Sequence, residues 1–370
     1  MVKSRYEIID TPALLIDRKI MMDNLTAMQN KANQYHVHLR PHTKTHRMPE
    51  LAELQMQAGA TGITVAKVGE AEVMAAQGLT DIFIANEIVG IAKLERIRAL
   101  AETITIRLGV DNTYQVDQLA QVFQTASKPI EVLIELEVGE ERSGVITDEQ
   151  LLDLAGYIDK QEKVVLKGVF SHEGHTYKAQ HQADCRNKAI ESQQKTLRAA
   201  NLIRQQGISV DIVSIGATPS LMQTEIIEGI TEIRPGTYIL MDAGQANALQ
   251  DFSHCAATVL VTVISKPTEE RVVFDAGAKT LITQNRPAGM CATEGFGLVK
   301  NSQNVRVASL FDEHGLINNK QFRNEIEVGD KIEIIPNHIC PTCNLYEKAY
   351  LVSEGEVIKE IPVLCRGKSQ

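Results

Sequence analysis

What most constrains this chain is a rhythm that runs for two hundred residues. Short apolar runs at Val37 to Arg40, Gly62 to Ala66, Asp81 to Ala85, Ile104 to Leu108, Glu131 to Glu137, Val164 to Phe170, Asp211 to Ile215 and Thr231 to Arg234 read as strands. Between them lie stretches with helical spacing: Pro49 to Ala58, Gly69 to Gln77, Ile91 to Ala101, Thr113 to Ala126, Asp148 to Lys160, and a long one over 182–206. A further helix over 18–35 starts at Asp17, an N-cap residue. Strands that alternate with helices build parallel βαβ units, and eight of them fit an α/β fold of the (β/α)8 TIM-barrel type. A doubly wound open sheet would want Gly-x-Gly-x-x-Gly after its first strand, and none follows Val37 to Arg40.

The rhythm stops near Asp251. From there the strand-like runs Ala256 to Ile264, Arg271 to Phe274, Val305 to Leu310, Lys331 to Ile335, Ala349 to Val352 and Glu356 to Val363 have no long helical stretches between them. The expectation is a barrel over 11–248 and a mostly β domain over 249–370. A short strand at Glu7 to Asp10 is expected to join the second domain, since chain ends often lie close together.

Composition narrows the function classes. The formal charge of the 370 residues is −9 with the basic residues scattered, which argues against nucleic acid as a partner. No apolar stretch approaches the ~20 residues of a membrane span, and the N-terminus has no signal-like apolar run. Six cysteines in a chain this long do not suggest a disulfide framework, so a cytoplasmic protein is expected.

In a barrel, reactive groups gather at the C-terminal ends of the strands. Lys44 lies there, in Arg40-Pro41-His42-Thr43-Lys44-Thr45-His46, after a strand that Pro41 ends. A lysine so placed is either a surface charge or an amine that meets a carbonyl compound. Arg142 follows the strand at Glu131 to Glu137, and His172 and Tyr177 follow the strand at Val164 to Phe170. Each has a bland reading, as a surface ion pair or a packing residue. Gly216-Ala217-Thr218-Pro219-Ser220 and Arg234-Pro235-Gly236-Thr237-Tyr238 follow the last two strands, the recurrent phosphate site of this fold, where Gly216 and Gly236 could equally be plain turn residues. A phosphate site with an end-of-strand lysine suggests pyridoxal phosphate held as a Schiff base.

A second cluster is Pro336-Asn337-His338-Ile339-Cys340-Pro341-Thr342-Cys343. On a strand or extended loop His338 and Cys340 share one face, and imidazole and thiolate both suit Zn2+. A two-residue set leaves positions open, as a catalytic metal needs. A Cys340–Cys343 redox pair, or half of a structural zinc site, competes with this reading.

Pro41-His42-Thr43-Lys44-Thr45-His46, Ala66-Lys67-Val68-Gly69-Glu70-Ala71-Glu72, Arg234-Pro235-Gly236-Thr237-Tyr238 and Pro336-Asn337-His338-Ile339-Cys340-Pro341-Thr342 together resemble the D-threonine aldolase / D-serine dehydratase family. These are alanine racemase-like, fold type III pyridoxal phosphate enzymes. The resemblance implies a barrel followed by a β domain, usually in a homodimer. It implies Lys44 as the Schiff-base lysine, phosphate contacts from Gly216, Thr218, Gly236 and Thr237 in the loop that ends at Tyr238, cofactor-side roles for Arg142 and Tyr177, and His338 and Cys340 as ligands of a divalent metal, Zn2+ or Mn2+. It implies a lyase acting on a β-hydroxy-D-amino acid, with retro-aldol cleavage to glycine and an aldehyde as the first reading. His172 is a candidate base by its position, and metal-bound hydroxide is the rival. Dehydration to a 2-oxo acid and ammonia is the alternative. Family aldolases often carry Asp where Cys340 stands and dehydratases typically Cys, but related sequences of both names can carry His-x-Cys, so both reactions stay open. Alanine racemases lack the metal pair, which weakens racemisation. A small barrel protein that merely carries the cofactor lacks the second domain.

Overall fold

The computed structural model describes residues 5–302 and 304–370. By contact the chain divides into two compact units. One comprises Met28–Lys44, Pro49–Gly236 and Gly367–Gln370, and the other comprises the residues up to Ala27, Thr45–Met48 and Thr237–Arg366.

Elements are numbered from the N-terminus, beginning with β1 (Ala13–Asp17) and α1 (Arg18–Gln34). The first unit is an eight-stranded parallel sheet of β2 (His38–Leu39), β3 (Ile63–Val65), β4 (Asp81–Glu87), β5 (Thr105–Val110), β6 (Ile130–Leu136), β7 (Val164–Ser171), β8 (Ile212–Ile215) and β9 (Glu232–Ile233). Its order is β2-β9-β8-β7-β6-β5-β4-β3. The edges β2 and β3 meet through a parallel bridge from His42 to Thr64, with Thr61 N–H donating to Leu39 O at 2.9 Å and Thr64 N–H to Pro41 O at 2.8 Å. That meeting curls the sheet into the expected barrel. The intervening helices are α2 (Pro49–Gln57), α3 (Val68–Ala76), α4 (Ile91–Ala101), α5 (Thr113–Phe123), α6 (Asp148–Asp159), α7 (Gln182–Gln205) and a short α8 (Thr218–Gln223). Their starts are chemically marked. Asn112 accepts from Gln115 N–H, and Thr147 with Gln150 forms a reciprocal capping box.

The barrel interior is part apolar and part ionic. Phe83, Leu133 and Phe170 form a buried cluster, with the two rings edge to face at 5.1 Å. The Arg234 guanidinium lies over both rings, at 5.8 and 5.2 Å from their centres. Arg40 donates to Glu232 and to Asp81, each at 2.7 Å, and Arg107 donates to the same Asp81 oxygen at 2.8 Å. Such a pair adds little net stability, but deleting one member strands a buried charge at a cost of about 3–5 kcal/mol.

The second unit is a mostly β assembly of β1 with β10 (Ala257–Ser265), β11 (Arg271–Phe274), β12 (Leu298–Val299), β13 (Ser309–Leu310), β14 (Gly315–Asn318), β15 (Lys331–Ile335), β16 (Lys348–Ser353) and β17 (Glu356–Pro362). β1 is a central strand, antiparallel to β10 with Leu14 opposite Val259, and parallel to β16 with Leu14 opposite Ala349. Short helices α9 (Ala243–Leu249), α10 (Lys320–Glu325) and α11 (Ile339–Cys343) complete it. The strand expected at Glu7 to Asp10 is instead a turn, and the chain enters the sheet after Pro12. The Ala13–Asp17 strand is buried on both faces, so it shows no alternation to read. All six cysteines are unbridged. Among the described residues no helix is long and apolar enough to cross a membrane.

Candidate active site

The strand ends of the barrel unit carry the first group of candidates. Lys44 sits half-buried in a 3-10 turn, Thr43–Thr45, just beyond the two-residue strand β2. The turn is fastened from two sides: Thr43 Oγ1 donates to Thr64 O at 3.1 Å, and His42 N–H donates to Pro235 O at 2.9 Å. Burial holds the His42 imidazole well below its ordinary pKa, and the positive charges of Lys44 and Arg234 push the same way.

His172 follows β7 directly. Burial, then the charges of Lys44 and Arg142, push its pKa down to about 3 against the opposing pull of a bond to the Gly216 carbonyl. Its Nδ1 lies 2.8 Å from Gly216 O. A carbonyl can only accept, so Nδ1 carries the hydrogen and Nε2 keeps a free lone pair. The ring is therefore neutral, with one defined basic atom.

Arg234 ties the neighbouring strand ends together, donating to Ser214 Oγ at 2.5 Å and to Ser171 O at 2.8 Å. Gly216 has to be glycine because a Cβ there would stand 2.9 Å from the Arg234 backbone carbonyl group. Two residues on, Thr218 is 1% exposed and its Oγ1 has no hydrogen-bond partner. An unmade bond at a buried hydroxyl costs about 1–3 kcal/mol. The hydroxyl beside Gly216 is therefore suited to donate to an anionic oxygen, and these residues fit the phosphate of pyridoxal phosphate. Gly236, after β9, is half-buried.

Tyr177 is half-buried on the 3-10 turn Gly174–Lys178. Arg142 is exposed on the loop after β6, with Nη2 3.0 Å from Glu135 Oε1. Three acidic groups here belong to no motif in the sequence. Glu135 and Glu87 hydrogen bond to each other, and burial followed by Glu135 pushes Glu87 up to about 9. Glu173 is buried against Ser220, with a pKa near 7 set first by burial. Their only trace in the sequence is a carboxylate at or beside the end of an apolar strand.

The second group lies in the β-rich unit. Thr237 and Tyr238 form the 3-10 turn Thr237–Ile239, where Tyr238 is fully buried. His338 is the N-cap of α11 and Cys340 is the second residue of that helix. The expected strand-like alternation is absent, and the helix start is what brings the two side chains into hydrogen-bond contact. Burial alone would raise the Cys340 thiol. The His338 charge and hydrogen bond, helped by Thr45, bring it down to about 7. His338 is in turn raised by Cys340 against the effect of burial. Cys340 Sγ lies 3.3 Å from Thr45 Oγ1, the residue after Lys44, and 3.6 Å from Thr237 Oγ1. Asp242 holds the start of α11, accepting from Ile339 N–H at 3.1 Å. A thiol lowered to about 7 with an imidazole hydrogen-bonded to it sets a soft sulfur donor beside a nitrogen donor, and both suit a divalent ion of the zinc class. Among the described residues no group of three or more His, Cys, Asp or Glu could hold a metal. An ion on this pair would therefore keep open positions.

Comparison with known proteins agrees with this layout. Residues 16–244 match the model of the alanine racemase N-terminal domain, and residues 256–352 match a putative serine dehydratase domain. A D-threonine aldolase from Arthrobacter is 33% identical over 370 residues, covering 98% of this chain and 94% of the relative. The crystal structure of D-threonine aldolase from Filomicrobium marinum superposes with a TM-score of 0.90 at 29% identity, covering 98% of each chain. D-threo-3-hydroxyaspartate dehydratase from Delftia superposes with a TM-score of 0.90 at 26% identity, covering 97% of this chain and 99% of that one, and a variant of it has been solved in a metal-free form. With a barrel that bears a strand-end lysine and a β-rich unit that bears the paired donors, this chain belongs to the D-threonine aldolase / D-serine dehydratase family of pyridoxal phosphate-dependent lyases.

Proposed function

We propose that the chain cleaves β-hydroxy-D-amino acids by a retro-aldol reaction, giving glycine and an aldehyde. The observation that carries this reading is His172, a neutral imidazole whose Nδ1 is tied to the Gly216 carbonyl, which leaves Nε2 as the ring atom able to accept a proton. The bound pyridoxal phosphate supplies an aldehyde that takes up amines and a ring that accepts an electron pair. Lys44 would give the amine that holds it covalently, Thr218 would donate to its phosphate, and Arg142 and Tyr177 would take cofactor-side roles. His338 and Cys340 would hold the divalent ion, which supplies Lewis acidity to a hydroxyl oxygen. His172 takes the proton from the substrate's β-hydroxyl at Nε2, the step that lets the Cα–Cβ bond break. A base near neutrality serves that step best, and a strongly depressed imidazole is a weak one in isolation. Its contribution is to accept the proton at a fixed atom without itself resting in the charged form.

Dehydration is the second reading, favoured by Cys340 at the position where family aldolases often carry Asp. There Lys44 would remove the α-proton, the β-hydroxyl would leave as water, and addition of water to the resulting enamine's imine form would release a 2-oxo acid and ammonia. Under either reaction the family resemblance implies a homodimer, which light scattering of the loaded enzyme tests.

One assay separates the two chemistries. The loaded enzyme is given D-threonine and D-serine, with divalent metal stripped and then restored. Glycine with acetaldehyde from D-threonine supports the aldolase. 2-Oxobutanoate from D-threonine or pyruvate from D-serine supports the dehydratase, and turnover unaffected by stripping removes the metal from the account. His338→Ala should lower the metal content while the absorbance of the lysine-bound cofactor persists. Unchanged metal content would contradict the ligand assignment.

A further inference from the structure

The ends of β4 and β6 hold a carboxyl pair that the reaction scheme above does not use. Glu135 has a side chain 3% exposed and spends both oxygens: Oε1 accepts from Arg142 Nη2 at 3.0 Å and Oε2 accepts from Ser143 Oγ at 3.0 Å. Arg142 itself is half in solvent. Glu87 reaches the same carboxylate by a hydrogen bond, while its Oε1 is buried with no partner. Two carboxyl groups can share a hydrogen bond only if one of them carries a proton. Glu135 is already committed as the acceptor for a guanidinium and a hydroxyl, so the proton belongs to Glu87. Burial and the charges of Glu135 and Asp111 act in the same direction. Asp111 is occupied elsewhere, accepting from Gln115 Nε2 at 3.0 Å, Asn112 Nδ2 at 2.7 Å and Gly144 N–H at 3.1 Å. Through that last bond it fixes the loop that carries Arg142.

We propose that Glu135 is the positioning residue for Arg142, and that Glu87 acts as a carboxylic acid that donates permanently to Glu135, so that a relay from β4 through β6 aims the guanidinium. A long, solvent-facing arginine would otherwise sample many rotamers, and an exposed ion pair alone does little to hold one. Here the anion is buried and fixed by two further donors, so the arginine is fastened to a rigid point. Glu135 and Glu87 touch neither cofactor nor substrate in this account. They act through Arg142, and the inference rests on the cofactor-side role proposed for that residue.

The test uses enzyme loaded with pyridoxal phosphate and reads two quantities, the cofactor dissociation constant and the pH at which the bound cofactor's absorbance titrates. Glu135→Gln keeps the shape and the Ser143 bond but removes the charge. It is expected to weaken cofactor binding on the order of tenfold, the usual loss for one charge-assisted bond, and to move the titration in the same direction as Arg142→Ala. Glu87→Leu, which cannot donate, should follow Glu135→Gln, and Glu87→Gln, a neutral donor, should restore most of the loss. In the protein without cofactor, the infrared difference between parent and Glu87→Gln at neutral pH should show the loss of one carboxylic acid carbonyl band, over and above the contribution of Glu173, which burial raises to about 7. If Arg142→Ala moves both readouts and Glu135→Gln moves neither, the relay is overturned. No loss of an acid band in that difference, or a Glu87→Gln variant as impaired as Glu87→Leu, overturns the proton assignment. If Arg142→Ala moves neither readout, the cofactor-side reading of Arg142 fails first, and the relay falls with it. Should Glu135→Gln not fold, Glu135→Asp draws the carboxylate back from the guanidinium and is expected to give the same shift; no shift there counts against the relay.

Discussion

His172 sets the chemistry at the scale of single residues because its surroundings decide its proton. In the unfolded chain an imidazole binds a proton below about pH 6.5. In the folded chain this one does so only near pH 3, because burial and the nearby cations oppose the charge. As pH falls between those values the unfolded state takes up a proton that the folded state refuses, so His172 makes stability decline through that window. Its ring resonances should accordingly show no titration from neutral pH down to about 5 in the protein without cofactor. A midpoint near the ordinary imidazole value would contradict the assignment. Thr218 makes a complementary case, since its buried Oγ1 has no partner in the protein. Thr218→Val should leave the cofactor-free protein as stable or slightly more stable, by up to about 1–3 kcal/mol, while weakening cofactor binding roughly tenfold. Thermal unfolding without cofactor and a binding titration check the two halves, and unchanged binding would take the hydroxyl out of the phosphate site. The sequence made Lys44, His172 and Thr218 conspicuous because each follows a strand. It did not mark Glu87, Glu135 or Glu173, whose importance comes from partners distant in the chain and from burial that no local pattern encodes.

At the scale of elements, the strand ends depend on close backbone approach. Gly216 lies against Arg234 closely enough that Gly216→Ala would force β8 and β9 apart. It should cost about 1–3 kcal/mol, seen as a lowered denaturation midpoint, with the bond from His172 to the Gly216 carbonyl disturbed as well. A variant as stable as the parent would show that the strand ends can spread freely. The barrel was legible because its helices are long and its strands bounded by turns. Even β2 and β9, two residues each, stand within the expected runs. In the other unit the reading was weaker. β12 is a two-residue strand and β14 a four-residue one, too short to show a period of two, and neither was anticipated. The sequence of α11 points to extended chain instead, because a five-residue helix containing Pro341 offers no helical periodicity.

At the scale of the whole molecule, two domain models matching residues 16–244 and 256–352 divide the chain near where its rhythm changes. The barrel unit brings the lysine, the neutral histidine and the anion-seeking threonine, and the β-rich unit brings the imidazole and thiol suited to a metal. Composition had pointed only to a folded protein with an ordinary core, and the motif loops supplied the chemistry. The central claim is that Lys44 is the amine that holds pyridoxal phosphate. The loaded enzyme can be reduced with borohydride, digested and analysed by mass spectrometry. The account predicts a pyridoxyl phosphate group on the peptide containing Lys44 and on no other. A group found on a different lysine, in enzyme that is active before reduction, would contradict it.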